Sequence, residues 1–170
     1  RKRPVEAAGQ ADFVVVTGRT GPGLTQVLVP LDAPGVTVRP LESVDLTRRC
    51  AALDFDAVRL PASAVVGAAG EAGPAVARQV EQALVILSAE TVGTMDTGFA
   101  MTVEWAFDRY SFGRPLASYQ ALKHRFADMK AWLEGAHAIS DAAALAVDAG
   151  APDGPELASA AKAFVGQYGA

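Results

Sequence analysis

Apolar positions along this chain follow two periods: short β-branched and aromatic runs with alternate-position patterning in the first third, then recurrence every three or four residues from about Pro74 onward. Phe13-Val14-Val15-Val16, a Gly/Pro turn through Thr20-Gly21-Pro22-Gly23, and Thr25-Gln26-Val27-Leu28-Val29 form a hairpin signal. Asp32-Ala33-Pro34-Gly35 supplies the next turn, and Val36–Arg39 and Ala51–Val58 read as two further strands. These four strands, apolar on one face, predict a small antiparallel sheet. A sheet of that size cannot bury its apolar face alone and should pack on another sheet or on helices.

Pro61 and the glycines from Gly67 to Gly73 separate the β part from the helical part, which places the domain division at 1–67 and 68–170. Between Pro74 and about Asp108, Val76, Val80, Leu84, Leu87, Thr91 and Met95 recur at helical spacing on an Ala-rich background. At ~1.5 Å per residue this helix spans roughly 50 Å, which suggests one rod of a bundle. A second helix is expected from an N-cap at Ser118 to about Ala149, and a third from Glu156 after the break at Ala151–Pro155. The fold class is therefore α+β, an antiparallel sheet followed by an antiparallel up-down helical bundle left incomplete at three of four helices.

Composition narrows the function. With 51% hydrophobic and 20% charged residues the chain can build a core and is no disordered tail. The net charge of −4, without dense Lys/Arg clustering, argues against nucleic acid as a partner. Arg1-Lys2-Arg3 and Arg48-Arg49 read as solvated surface. A single cysteine, Cys50, allows no internal disulfide and no cysteine-rich zinc spacing, so no metal is expected and a reducing, cytoplasmic setting fits best. Purely apolar runs fall well short of the ~18 to 20 residues a membrane span needs. The sequence opens without methionine and stops at Gly169-Ala170 directly after a helical pattern, and we expect a piece of a longer polypeptide.

The candidate chemistry lies between the first two helices, in Arg109-Tyr110-Ser111-Phe112-Gly113-Arg114-Pro115 followed by Gln120, Lys123 and His124. Arg109, at the end of the first helix, can hold phosphate oxygens through two parallel hydrogen bonds; its plainer role is a cation at the negative end of the helix dipole. Phe112, beside a glycine that permits close backbone approach, could stack on a planar ring, or simply plug the core. Gln120 in the first turn of the second helix can reach a ligand at the helix N-terminus, or stay solvated. His124, four residues on, reads as a packing or inter-helix hydrogen-bonding residue rather than a catalyst.

This segment resembles the signature Arg-x-x-Phe-Gly-Arg-Pro-(Ile/Leu)-x-x-(Phe/Tyr)-Gln-Ala-x-Lys-His of the acyl-CoA dehydrogenases. The resemblance extends over nearly the whole chain through Ala11–Val16, Val29–Val36, Phe55–Pro61, Ala89–Gly93 and Phe126–Met129. It implies the second half of a middle β-domain plus the first three helices of a C-terminal helical domain. It also implies that Arg109 and Gln120 bind FAD, with Phe112 beside the adenosine portion, the flavin being held mainly by the neighbouring subunit. The implied activity is α,β-dehydrogenation of an acyl-CoA thioester, in fatty acid metabolism, with electron-transfer flavoprotein as acceptor and a homo- or hetero-oligomer sharing FAD sites.

The match departs from the family on the first helix. An Asp-x-x-Arg substrate-contacting element of many members is here Glu81-Gln82-Ala83-Leu84, and Ala83 stands where some relatives carry a catalytic glutamate. Glu81 points elsewhere on the helix and reads as surface. No catalytic residue is assigned within the chain. Three readings result: a fragment of an active dehydrogenase with its base elsewhere, a non-catalytic subunit completing a neighbour's FAD site, or a flavin oxidase of the same fold.

Overall fold

The computed structural model describes residues 1–169, and the chain divides into two compact units, one of Arg1–Val76 and one beginning at Ala77. The first unit is built from β1 (Lys2–Glu6), β2 (Phe13–Thr20), β3 (Gly23–Pro30), β4 (Val36–Pro40), β5 (Cys50–Phe55) and β6 (Val65–Val66). The second is built from α1 (Gly73–Asp108, its first turn in the preceding unit), β7 (Tyr110–Ser111), β8 (Arg114–Pro115), α2 (Gln120–Ala149) and α3 (Gly154–Tyr168). The fold is α+β.

The expected hairpin is present: β2 and β3 pair antiparallel from Phe13↔Pro30 to Thr20↔Gly23. The expected single four-stranded sheet is not. There are two three-stranded antiparallel sheets, β1-β5-β4 and β2-β3-β6. Alternating apolar residues fix which face of a strand turns inward but not which strand lies beside it. The turn at Pro30–Gly35 carries the chain from one sheet to the other, and β5 becomes the centre of the second sheet. β1 escaped the sequence reading because Lys2, Arg3, Pro4 and Glu6 leave no apolar run.

The two sheets share one core. Ala8, Ala51 and Leu53 are buried, and Val14 from one sheet packs on them together with Val5, Leu31, Val38 and Phe55. The missing cover for the hairpin is thus the other sheet. On the exposed side of β5, the Asp54 carboxylate is bonded by both Arg1 and Arg39, and the Arg1 hydrogen bond above all holds its pKa below the usual carboxylate range.

In the helical unit α1 runs 36 residues and α2 30, close to the expected limits. The second helix begins differently from expectation: Tyr119, not Ser118, is its N-cap, and the Ser118 hydroxyl instead donates to the Pro115 carbonyl at 2.7 Å within a 3₁₀ turn over Leu116–Ser118. Gly150, at φ 63°, ends α2 by donating to Ala146 and Val147. Val92 of α1, Ala136 of α2 and Val165 of α3 form a common buried cluster, with Met95 and Phe164 against it. A groove of about 670 Å³, lined by Met95, Phe99, Leu122, Phe126, Met129 and Trp132 among others, leaves the three-helix bundle open on one side. Among the described residues no helix is long and apolar enough to cross a membrane.

Candidate functional site

The segment between α1 and α2 is a miniature β-hairpin. Tyr110 pairs with Pro115 and Ser111 with Arg114, so Phe112 and Gly113 alone make the turn. Both sit at positive φ, 51° and 79°, the requirement of a type I′ turn. Gly113 meets that requirement at no steric cost. Phe112 does not, since a left-handed conformation costs a residue with a Cβ about 1–2 kcal/mol.

That strained residue is also the tip. The Phe112 side chain is 97% exposed, which overturns the core-plug reading: within this unit its ring touches no core. Tyr110 beside it is 63% exposed, and Trp105 and Phe107 at the end of α1 are 58% and 63% exposed. Four aromatic residues within eight are thus exposed, although Trp105 and Phe107, two apart on α1, face different sides of that helix.

The base of the hairpin is tied in several places. The Arg109 N–H donates to the Trp105 carbonyl as α1 ends, and the Leu116 N–H donates to the Arg109 carbonyl at 2.8 Å. The Arg109 side chain is left exposed, without a hydrogen bond or ion pair to any other described residue. Tyr119 closes the structure from the far side. Its hydroxyl donates to the Ser111 carbonyl at 2.7 Å, and the Arg114 guanidinium lies 3.9 Å from its ring centroid.

Tyr119 also starts α2, its carbonyl accepting from the Leu122 and Lys123 N–H groups. No side chain caps this helix and no acidic residue sits in its first turn. The positive end of a 30-residue helix is therefore unneutralised where Gln120 stands. Gln120 Nε2 lies 2.9 Å from His124 Nε2, so the amide donates when that ring nitrogen carries no proton. His124 is thus an intra-helix partner of Gln120, exposed at the surface, and the inter-helix role expected for it is not what the structure has.

Arg109, Phe112 and Gln120 accordingly occupy three successive parts of one braced element: helix end, hairpin tip and helix start. Their side chains make no hydrogen bonds to one another among the described residues. Each is exposed, with the Gln120 amide nitrogen engaged by His124 and its oxygen left over. Arg114 and Tyr119 were missed as contributors. The available signal was an arginine and an aromatic flanking a residue–glycine turn, a pattern that identifies a hairpin only once the chain reversal is known. Among the described residues no group of three or more His, Cys, Asp or Glu side chains could hold a metal ion.

Comparison with known proteins places this architecture. A family model described as "Acyl-CoA dehydrogenase, C-terminal domain" matches residues 73–169, which contain all three helices and the hairpin. Acyl-CoA dehydrogenase IpdE2 of Mycobacterium tuberculosis is 35% identical over 103 residues, 61% of this chain and 29% of that protein. The structure of butyryl-CoA dehydrogenase from Megasphaera elsdenii superposes with a TM-score of 0.89 at 25% identity, covering 97% of this chain and 45% of that one. A structure of PigA with FAD and proline gives 0.89 at 26% identity, covering 96% of this chain and 44% of that one. The chain thus spans less than half the length of the relatives it matches. With its β part and its helical part both superposing in one continuous order, and more than half its residues matched by the family model, the chain belongs to the acyl-CoA dehydrogenase family.

Proposed function

We propose that this chain supplies part of the FAD site of an acyl-CoA dehydrogenase, with Arg109, Phe112 and Gln120 as cofactor-binding residues. The observation that carries the proposal is the braced hairpin: an unpaired guanidinium, a fully exposed ring and an uncapped helix N-terminus follow one another on a single rigid element. That donor set fits a dinucleotide. Arg109 offers two parallel N–H groups to pyrophosphate oxygens, Phe112 offers a flat face to adenine, and Gln120 offers an amide where the helix end favours negative charge. Support for FAD in particular comes from the PigA structure with FAD, whose fold this chain shares.

A bound FAD would supply hydride acceptance for the oxidation of an acyl-CoA thioester to its α,β-unsaturated form. The residues of this chain hold and orient that cofactor. Proton abstraction we assign to none of them: Ala83 stands where some relatives carry a catalytic glutamate. An exposed FAD-binding hairpin also suits an assembly in which one subunit completes its neighbour's site. We read residues 1–67 as the later part of a middle β-domain and 68–170 as the start of a C-terminal helical domain. Electron-transfer flavoprotein is the proposed acceptor, in the cytoplasm.

The test is flavin content after native purification, followed by anaerobic titration with acyl-CoA thioesters. Arg109→Ala should lose FAD far more readily than Arg125→Ala, since Arg125 is one of the residues that line the bundle groove instead. Equal flavin content in the two variants would refute the assignment. A yellow protein that one thioester bleaches supports dehydrogenation; one that none bleaches favours the non-catalytic subunit or a flavin oxidase.

A further inference from the structure

We infer that Tyr119 is a positioning residue of the cofactor site: it sets where the hairpin tip and Arg109 stand relative to Gln120, without touching the cofactor itself. The inference rests on the flavin reading above and deepens it.

Three interactions converge on this one side chain and its backbone. The hydroxyl donates to Ser111, which immediately precedes the tip residue Phe112. The ring carries Arg114, which immediately follows Gly113 on the return strand. The carbonyl accepts the first hydrogen bonds of α2, at whose first position Gln120 stands. One residue therefore grips both strands of the hairpin and begins the helix. No other described residue is bonded to both the hairpin and the helix start in this way.

The hairpin requires such a grip. Its ladder is two residue pairs long, and an isolated two-stranded ribbon is marginal in water. Phe112 adds strain at the turn, and a 97% exposed ring returns no packing energy within the unit. Without Tyr119 the strained turn is free to relax, moving Phe112 and loosening the Leu116 to Arg109 backbone bond that fixes the end of α1. A binding group that must be re-ordered on each encounter binds more weakly, because ordering costs free energy at that moment.

The experiment is titration of the apo-form of the natively purified protein with FAD, following flavin fluorescence, for wild type, Tyr119→Phe, Tyr119→Leu, Arg109→Ala and the Tyr119→Leu/Arg109→Ala pair. Tyr119→Phe removes one neutral hydrogen bond and should weaken FAD binding about three- to tenfold. Tyr119→Leu also removes the cation–π contact and should lose about ten- to fiftyfold. Since Tyr119 acts through the placement of Arg109 and Phe112, the double variant should lose much less than the product of the two single losses.

Losses that simply multiply would show general support of the fold and overturn the inference. If Arg109→Ala weakens binding while both Tyr119 variants bind as wild type, the flavin reading stands and the positioning role falls. If Arg109→Ala also binds as wild type, the flavin reading fails and takes this inference with it. Should Tyr119→Leu not fold, Tyr119→Phe and Arg114→Ala decide: unchanged FAD affinity in both refutes the inference, and a loss in both supports it.

Discussion

Gly135→Ala should destabilise the helical unit, against the usual benefit of alanine in a helix. In an exposed helix interior this exchange gains roughly 1 kcal/mol. Here a Cβ on Gly135 would stand 2.9 Å from Phe164 Cζ and 3.4 Å from Cε1, well inside the ~3.5–4.0 Å of a favourable carbon contact. The ring has little freedom to yield. It packs against Val92, Ala136 and Val165 and lies 4.6 Å from Tyr168, whose ring stacks in turn on Trp132 at 5.3 Å. Overpacking of this kind costs about 1–3 kcal/mol, so the net loss should be about 1 kcal/mol. In a Phe164→Leu background the obstructing ring atoms are gone, and Gly135→Ala should become neutral or stabilising, a coupling of about 1–2 kcal/mol. Urea unfolding followed by helical circular dichroism, with the m-value held constant across the four proteins, measures it. A stabilising Gly135→Ala in the wild-type background, or the same change in both backgrounds, would refute the packing argument.

Three further predictions test other parts of the structure. Ser140 Oγ on α2 is buried without a hydrogen-bond partner among the described residues, so Ser140→Ala should raise stability by about 0.5–1 kcal/mol, and a loss in urea unfolding would mean that the hydroxyl is satisfied. Asp54, its pKa lowered chiefly by the Arg1 hydrogen bond, stabilises the fold above the unfolded carboxylate pKa of ~3.9 and ceases to do so as pH falls through its depressed folded value. The stability gap between wild type and Asp54→Asn should therefore shrink only below about pH 4, and a gap independent of pH would count against the ion pair. Gly113→Ala places a Cβ at φ 79° and should lower FAD retention by opening the turn while leaving the helix content unchanged; full flavin content in that variant would remove the turn from the site.

What the sequence revealed and what it hid follow from the range of the interactions involved. Helix limits were legible because they depend on neighbours within four residues: α1 and α2 end where Asp108 and Ala149 predicted. The β2–β3 hairpin was legible for the same reason, its turn residues lying between its own strands. The partition into two sheets was not, because β1 pairs with β5 across more than forty residues and nothing local records that choice. At the site, Arg109, Phe112 and Gln120 were read from their chemistry and from a family signature, but their mutual geometry came only with the hairpin. Ser118 failed as a cap because its hydroxyl found the nearer Pro115 carbonyl, a competition between two local bonds that residue type alone does not decide.

The strained tip gives the clearest physical reason to read this hairpin as a binding element. A phenylalanine at φ 51° costs free energy that its exposed ring does not recover inside the unit, whereas asparagine or glycine would make the same turn without the cost. The surrounding bonds from Tyr119, Arg109 and Leu116 do not remove that cost; they prevent the chain from relaxing away from it. On the proposed reading, an exposed apolar ring, an unpaired guanidinium and an uncapped helix end carried on one braced element form a surface complementary to something flat and anionic. A dinucleotide has both properties, and with the ring and the donors already ordered, less conformational entropy remains to be lost when it binds.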